Sequence, residues 1–191
     1  ALADRLGETH VMTCPAFPEN GRSVYQGHLF VNDGLLSECG MQDHPLTPMT
    51  DADLRRVLAL QTTWDVTHVR IRVVAQGPVA IAAQIAPFST SMVIVDAIAD
   101  DDVRAIGAAV KSRKLLTGGS GIAIGLPANF GITPRSVPWA GMTGQGVVLS
   151  GSCSRATREQ VDVFTKTNPA KELSAADVME RAGQIDDIVA W

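Results

Sequence analysis

The 191-residue sequence predicts an α/β fold: a mostly parallel sheet with flanking helices, a β-hairpin, and the start of a second α/β domain. Three observations predict it. Between residues 66 and 126, short apolar runs alternate with helix-period segments, the pattern of parallel strands joined by crossover helices. Asn32-Asp33-Gly34 sits between two apolar runs, a strong hairpin signal. Aromatic residues make up only 5% of the chain while Ala, Val, Ile and Gly are plentiful, which favours helix-on-sheet layers over a β-sandwich.

In chain order, Leu2, Leu6 and Gly7 read as the tail of a helix, so the chain is expected to begin in mid-pattern. Thr9–Cys14 reads as a buried strand. The PAFPENGR stretch after it, residues 15–22, is a shaped loop, because two prolines, Asn20 and Gly21 forbid regular structure. Val24–Val31 and Leu35–Glu38 are the expected hairpin strands. Residues 40–51 form a loop, since Pro45 and Pro48 both break a helix. Thr50 or Asp51 then caps a helix through Leu60, with Leu54, Val57 and Leu58 on one face.

Val66–Val74 is strand-like, and the alternation from His68 to Val73 suggests a polar face or a sheet edge. Gly77–Ile85 is an Ala-rich helix opened by Pro78. Met92–Val95 is an apolar strand ending on Asp96. Asp100, Asp101 and Asp102 load the start of the next helix, which runs to about Val110. Lys114–Leu116 is a short strand running into Thr117-Gly118-Gly119-Ser120-Gly121 and a small-residue helix. Residues 129–146 hold Pro134, Pro138 and four glycines with no apolar period, the best linker in the chain. The domain boundary is therefore set near Ala140, giving 1–140 and 141–191. Beyond it, Val147–Val161 reads as strand, Gly/Ser turn and helix, and a last helix runs from Ser174 to Trp191.

Composition excludes several classes. A hydrophobic fraction of 46% is ample for a core, and a net charge of −4 with no basic stripe gives no reason to expect nucleic acid. Cys14, Cys39 and Cys153 are odd in number and far apart, which reads as reduced thiols in the cytoplasm rather than disulfides or zinc. No stretch approaches the apolar length of a membrane span, and the N-terminus lacks a signal-peptide pattern.

Four constellations could carry chemistry. The turn Ser150, Gly151, Ser152, Cys153, Ser154 empties a strand into a helix N-terminus, a geometry suited to phosphate; plain helix capping by Ser152 or Ser154 uses the same letters. Gly118, Gly119 and Ser120 lie at a strand's C-terminal end, where α/β sheets bind ligands, though the glycines also suit a tight turn. Asp96 ends the neighbouring strand, placed for catalysis or for capping a turn. The polar cluster Glu19, Asn20, Arg22, Tyr25, Gln26, His28, Glu38, Asp43 and His44 would suit a small acid sugar, with Arg22 clamping a carboxylate and Asn20 and His28 addressing hydroxyls. A solvated loop is the plainer reading. His28, His44, Asp43 and Glu38 match no established metal-ligand spacing, and no G-x-S-x-G elbow or thiol-enzyme pattern supports a hydrolase. The absent G-x-G-x-x-G argues against a dinucleotide oxidoreductase.

The stretches CPAFPENGRSVYQGHLFV at 14–31, LLSECGMQDHPLTPMTDADL at 35–54, VIVDAIADDDVRAIGAA at 93–109, LLTGGSGIAIGLPANF at 115–130 and VLSGSCSRATREQV at 148–161 resemble the four-carbon acid sugar kinase family. Within it they are most similar to the 3-oxo-tetronate branch; threonate and erythronate siblings share PAF and GR but diverge around the hairpin. The resemblance implies ATP-dependent phosphorylation of the 4-hydroxyl of 3-oxo-tetronate. It implies a substrate-binding α/β domain followed by a nucleotide-binding one, with Mg²⁺ bridging the ATP phosphates. Ser150, Gly151, Ser152 and Ser154 would contribute to the ATP site. Arg22, Asn20, His28, Gly118, Gly119 and Ser120 would hold the sugar acid, and Asp96 is the candidate base in this chain. A homodimer is compatible with the reading. The family's Asp-Asp-Phe-Thr-Gly-Ala turn, an equally good source of the base, its late glycine-rich loop and its Ser-Gly-Asn-Phe-Gly segment have no counterpart here. The chain is therefore expected to be a middle window of the enzyme, not to turn over ATP alone; the rival is a truncated, non-catalytic remnant that binds a sugar acid.

Overall fold

The apolar run Ser91–Val95 forms the buried middle of a four-stranded parallel sheet. The computed structural model describes residues 2–44, 47–152, 154–173 and 188–191. Two compact units divide the chain, Ala1–Val137 and Pro138–Trp191. In the first the order is α1 (Leu2–Leu6), β1 (His10–Cys14), β2 (Arg22–Tyr25), β3 (His28–Val31), β4 (Gly34–Leu35), α2 (Leu54–Ala59) and β5 (Asp65–Val69). Then come α3 (Ile71–Val74), α4 (Pro78–Ile85), β6 (Ser91–Val95), α5 (Asp100–Ala109) and β7 (Leu116–Gly118), with 3-10 turns between several of them.

The parallel sheet runs β5-β6-β1-β7, and β2-β3-β4 form a separate antiparallel sheet. Ser91 of β6 stands opposite His10 on one side and Asp65 on the other, and β1 meets β7 at Met12 and Leu116. β6 is fully apolar after Ser91 because both its edges and both its faces are covered. β5 lies at the sheet edge, which is why it tolerates Thr67 and His68. Ile81 and Ile85 of α4 and Val103 and Ile106 of α5 join Met12, Cys14, Val93 and Val95 in one core. Each fully buried aliphatic side chain there contributes about 2 kcal/mol. Asp102 reaches back so that its carboxylate accepts the amides of Ile98 and Ala99, both at 2.9 Å, and fixes the start of α5.

Four local expectations are corrected. Residues 24–31 are not one strand: Gln26 (φ 52°) and Gly27 (φ 75°) make a tight left-handed turn that splits them into β2 and β3. The strand expected to reach Val74 stops at Val69, and the chain turns into α3 because the Ile71 amide is drawn to Asp96. α2 is capped by Asp53, which accepts from the Arg55 amide, rather than by Thr50 or Asp51. The expected helix after residue 120 is a 3-10 segment, Ser120–Gly125. There Gly125 and Gly107 of α5 touch backbone to backbone, leaving no space for a side chain on either.

In the second unit α6 (Arg155–Phe164) is the main element. Val147–Leu149, expected as a strand, form no ladder among the described residues, and Leu149 is 92% exposed. A β-branched run without a pairing partner has nothing to hold it extended. Of the helix expected over 174–191, residues 174–187 lie outside the described residues, as do Cys153, Pro45 and Leu46.

Candidate functional site

Parallel strands bring their C-terminal ends to one edge of the sheet, and Asp96 follows β6 there. Its carboxylate is 0% exposed. Oδ1 accepts from the Gly27 amide at 2.9 Å and from His68 Nε2 at 2.8 Å. Oδ2 accepts from the amides of Gln26 and Ile71, each at 3.0 Å. Burial pushes this carboxyl upward, but His68 and the amides of Gly27 and Ile71 outweigh it and hold it below the ordinary carboxylate range. A general base needs a lone pair aimed at substrate and a pKa near working pH. Four donors and complete burial leave Asp96 neither, so a base at Asp96 is not carried into the reading below.

The next residue continues the attachment. Val24 donates to the Ala97 carbonyl at 2.8 Å, and Ala97 donates to the Val24 carbonyl at 3.0 Å. Residues 96 and 97 thus stitch the end of β2 and its turn to the sheet's C-terminal edge.

The loop leaving β1 supplies the second part. Asn20 closes a 3-10 turn, Pro18–Asn20, and Gly21 (φ 67°) reverses the chain into β2. Phe17 and Arg22 exchange backbone hydrogen bonds at 2.8 and 3.0 Å, and the Glu19 amide donates to Asp100 at 3.3 Å. Against this loop packs the turn after β7. A Cβ on Gly118 would collide with the Cys14 carbonyl, one on Gly121 with the Ala16 carbonyl, and one on Gly119 would sit 3.1 Å from the Pro15 carbonyl. Close backbone approach is therefore what the glycines provide, and it places Asn20, Arg22, Gly118, Gly119 and Ser120 around one loop. Among the described residues no hydrogen bond or ion pair engages the Arg22 guanidinium.

His28 does not join them. β2 pairs with β3 so that Arg22 faces Val31, Val24 faces Leu29 and Tyr25 faces His28. Strand alternation then puts Arg22, Val24, Leu29 and Val31 on one face, and Ser23, Tyr25, His28 and Phe30 on the other. Arg22 and His28 stand on opposite faces and at opposite ends of the hairpin. His28 Nδ1 instead lies 2.9 Å from the Gln26 carbonyl, and Nε2 lies 3.9 Å from Asp53.

Asp53 was not singled out in the sequence. It is buried and accepts Arg55 Nε at 2.9 Å, Arg55 Nη2 at 2.8 Å and Arg56 Nη1 at 3.0 Å. The Arg55 hydrogen bonds, opposed by burial, hold its carboxyl far below the usual range. Arg55 in turn backs onto Gly27, where a Cβ would meet Nε at 2.7 Å. Burial holds the Cys14 thiol up at about 11, so it is a neutral core group and no nucleophile. Among the described residues no three His, Cys, Asp or Glu side chains converge as metal ligands.

In the second unit Ser150, Gly151, Ser152 and Ser154 are exposed. Ser154 Oγ caps α6 by accepting the Thr157 amide at 3.2 Å and donates to Thr157 Oγ1 at 2.9 Å. Ser152 Oγ accepts the Ser154 amide at 3.2 Å, which leaves its proton for another acceptor. No helix among the described residues is long and apolar enough to cross a membrane.

A family model for a sugar-binding N-terminal domain matches residues 1–126. A protein of Pseudomonas fluorescens named 3-oxo-tetronate kinase is 48% identical over 86% of this chain. The chain spans 40% of that relative's length. A crystal structure of a Haemophilus influenzae protein of the DUF1537 family superposes with a TM-score of 0.68 at 34% identity, covering all of this chain and 47% of that one. A DUF1537 domain from Bordetella bronchiseptica, a domain-swapped dimer with bound citrate, superposes over 64% of this chain and 30% of that one, with a TM-score of 0.54 and 28% identity.

Proposed function

The chain belongs to the sugar-binding N-terminal domain family, and from that premise we propose that it is the acid-sugar-binding part of an ATP-dependent 3-oxo-tetronate kinase. On this reading residues 1–140 hold most of the substrate domain and 141–191 open the nucleotide domain. The observation that carries it is the unengaged Arg22 guanidinium at the end of the loop that leaves β1, the loop on which Gly118, Gly119 and Gly121 pack. A guanidinium with no internal partner suits a ligand carboxylate, which it binds bidentately. Citrate in the Bordetella bronchiseptica neighbour supports a small carboxylate as ligand.

Arg22 clamps the carboxylate of the four-carbon acid, while Asn20, Ser120 and the amides of Gly118 and Gly119 address its oxygens. His28, on the far face of the hairpin, is left to a separate contact. The base that takes the 4-hydroxyl proton is assigned to no residue described here. ATP supplies the phosphoryl group, transferred in line to the 4-hydroxyl, with Mg²⁺ carried on its phosphates. In this chain Ser150, Gly151 and Ser152 fit a phosphate best, because Ser152 retains a free O–H while Ser154 is committed to its cap. Homologues named as kinases imply the nucleotide, and the domain-swapped neighbour is the reason to include a homodimer.

The test is coupled ADP release by the natural full-length protein across a panel of four-carbon acids, 3-oxo-tetronate, threonate and erythronate among them. Turnover restricted to 3-oxo-tetronate is the expected result, and turnover of threonate or erythronate instead moves the chain to a sibling activity. Arg22→Ala is expected to raise KM for the acid with KM for ATP unchanged. An unchanged KM for the acid removes the clamp.

A further inference from the structure

We propose that Asp96 is a positioning residue of the sugar-acid site: its buried carboxylate holds the Gln26–Gly27 turn on the sheet's C-terminal edge and thereby sets where Arg22 stands. The proposal rests on the reading of Arg22 given above. Successive amides in left-handed conformation form a small anion-binding concavity, and here the protein fills it with its own carboxylate. Gln26 and Gly27 donate to opposite oxygens, so the turn is held in orientation as well as in place. Two residues earlier, Val24 exchanges both backbone hydrogen bonds with Ala97. Arg22 lies two residues before Val24 on the same face of β2. From Asp96 to Arg22 the path therefore runs through the carboxylate's bonds to the Gln26 and Gly27 amides, the Val24–Ala97 backbone pair and the β2–β3 ladder.

The carboxylate is also shared. His68 from β5 and the Ile71 amide at the start of α3 take the remaining acceptor sites, tying the turn to the sheet's edge strand. From the other side Gly27 is backed by the Arg55 guanidinium, itself clamped by Asp53, and its carbonyl accepts the Leu54 amide at 2.9 Å. The turn is thus gripped between two buried carboxylates, one direct and one acting through an arginine. An asparagine at 96 presents one acceptor oxygen and an NH₂ group to four donors, so two of the four lose their partner and the turn is released.

The experiment is steady-state kinetics of the full-length protein with Asp96→Asn, His68→Gln, Gly27→Ala and Arg22→Ala, each followed by a thermal melt. Asp96→Asn is expected to raise KM for the acid about ten-fold or more, with KM for ATP and both limbs of the kcat–pH profile unchanged. Gly27→Ala moves the same turn without altering the carboxylate, because its Cβ meets Arg55, and is expected to reproduce that KM change. His68→Gln keeps a donor towards Asp96 and is expected to retain most of the wild-type KM. Loss of kcat by about a thousand-fold with KM unchanged, or loss of one pH limb, makes Asp96 a base and overturns the proposal. An unchanged KM in Gly27→Ala overturns it as well, which keeps it open to refutation if Asp96→Asn does not fold. A raised acid KM in Arg22→Ala alongside either of those results shows that the clamp stands and the positioning claim fails. An unchanged acid KM in Arg22→Ala sinks the clamp itself.

Discussion

The Gln26–Gly27 turn and the described residues of the stretch 150–154 are built from similar materials, small or polar residues, yet they differ in how they are held. In the first, Gly27 is buried while Gln26 is exposed, and both amides bond the carboxylate of Asp96, 70 and 69 positions away, with Arg55 packed behind Gly27. In the second, Ser150, Gly151, Ser152 and Ser154 are exposed, and among the described residues their side chains bond only locally, Ser152 with Ser154 and Ser154 with Thr157. The difference is one of partners. A strand–turn–helix stretch acquires fixed geometry when its strand enters a ladder, as β6 does on both edges, and Val147–Leu149 enter none among the described residues.

Asp96→Asn should break this contrast most severely. Removing the charge while leaving two buried donors unmatched costs about 3–5 kcal/mol of stability, read as a lower urea midpoint at unchanged slope. Acid should act by the same route. The Asp96 carboxyl titrates lower in the folded chain than in the unfolded one, despite the upward push of burial, because of His68 and the amides of Gly27 and Ile71. Its stabilisation is therefore complete above the unfolded carboxylate range, near pH 4, and is lost as pH falls through the lower folded value. Asp53 contributes with the same sign through Arg55. Melting temperature should drop from pH 5 towards pH 2, and Asp96→Asn should flatten part of that slope. An identical slope in the variant would show that Asp96 does not titrate as stated.

Gly118→Ala comes next. The added methyl meets the Cys14 carbonyl, a main-chain atom inside the sheet, and the strand must shift to admit it. Overpacking of this kind costs about 1–3 kcal/mol, and the same shift would move the loop that carries Asn20 and Arg22. Denaturant melts would show the first effect and a raised KM for the acid the second. Loss of stability with KM intact would separate the β7 turn from the proposed acid site.

Much of this architecture was legible in the chain itself. Strong local patterns survived: the apolar β6, the Pro78 start of α4, the acidic start of α5 and the hairpin at Asn32. What failed did so through tertiary contacts that no local pattern encodes. Residues 70–74 alternate as a strand would, but Asp96 captures the Ile71 amide and bends them into a helix. Gln26-Gly27 is not one of the common turn pairs; its left-handed backbone is stabilised by a carboxylate far away in sequence. The site residues divided in the same way. Gly118–Ser120 were proposed from their place at a strand end and Arg22 from a polar loop cluster, whereas the separation of His28 from Arg22 follows from the β2–β3 register, which the turn at 26–27 sets. Asp53 and Arg55 gave no chemical signal because their task is to support Gly27.

The smallest effects belong to the exposed turn, and they sharpen the contrast from its weaker side. Ser154→Ala removes the N-cap of α6, the side-chain acceptor of the Thr157 amide, and should cost that helix about 1 kcal/mol. Gly151 has open space where a Cβ would go, so Gly151→Ala should change stability by no more than about 0.5 kcal/mol, against the several-fold larger cost at Gly118. Hydrogen exchange would read the first change as faster exchange of the Thr157 amide, and denaturant melts the second. If Gly151→Ala proves as costly as Gly118→Ala, the 150–154 turn packs against something and is as rigid as the 26–27 turn. If it is silent in stability but raises KM for ATP in the full-length protein, the turn meets phosphate through backbone that needs the glycine, and its geometry is completed by the ligand rather than by the sheet.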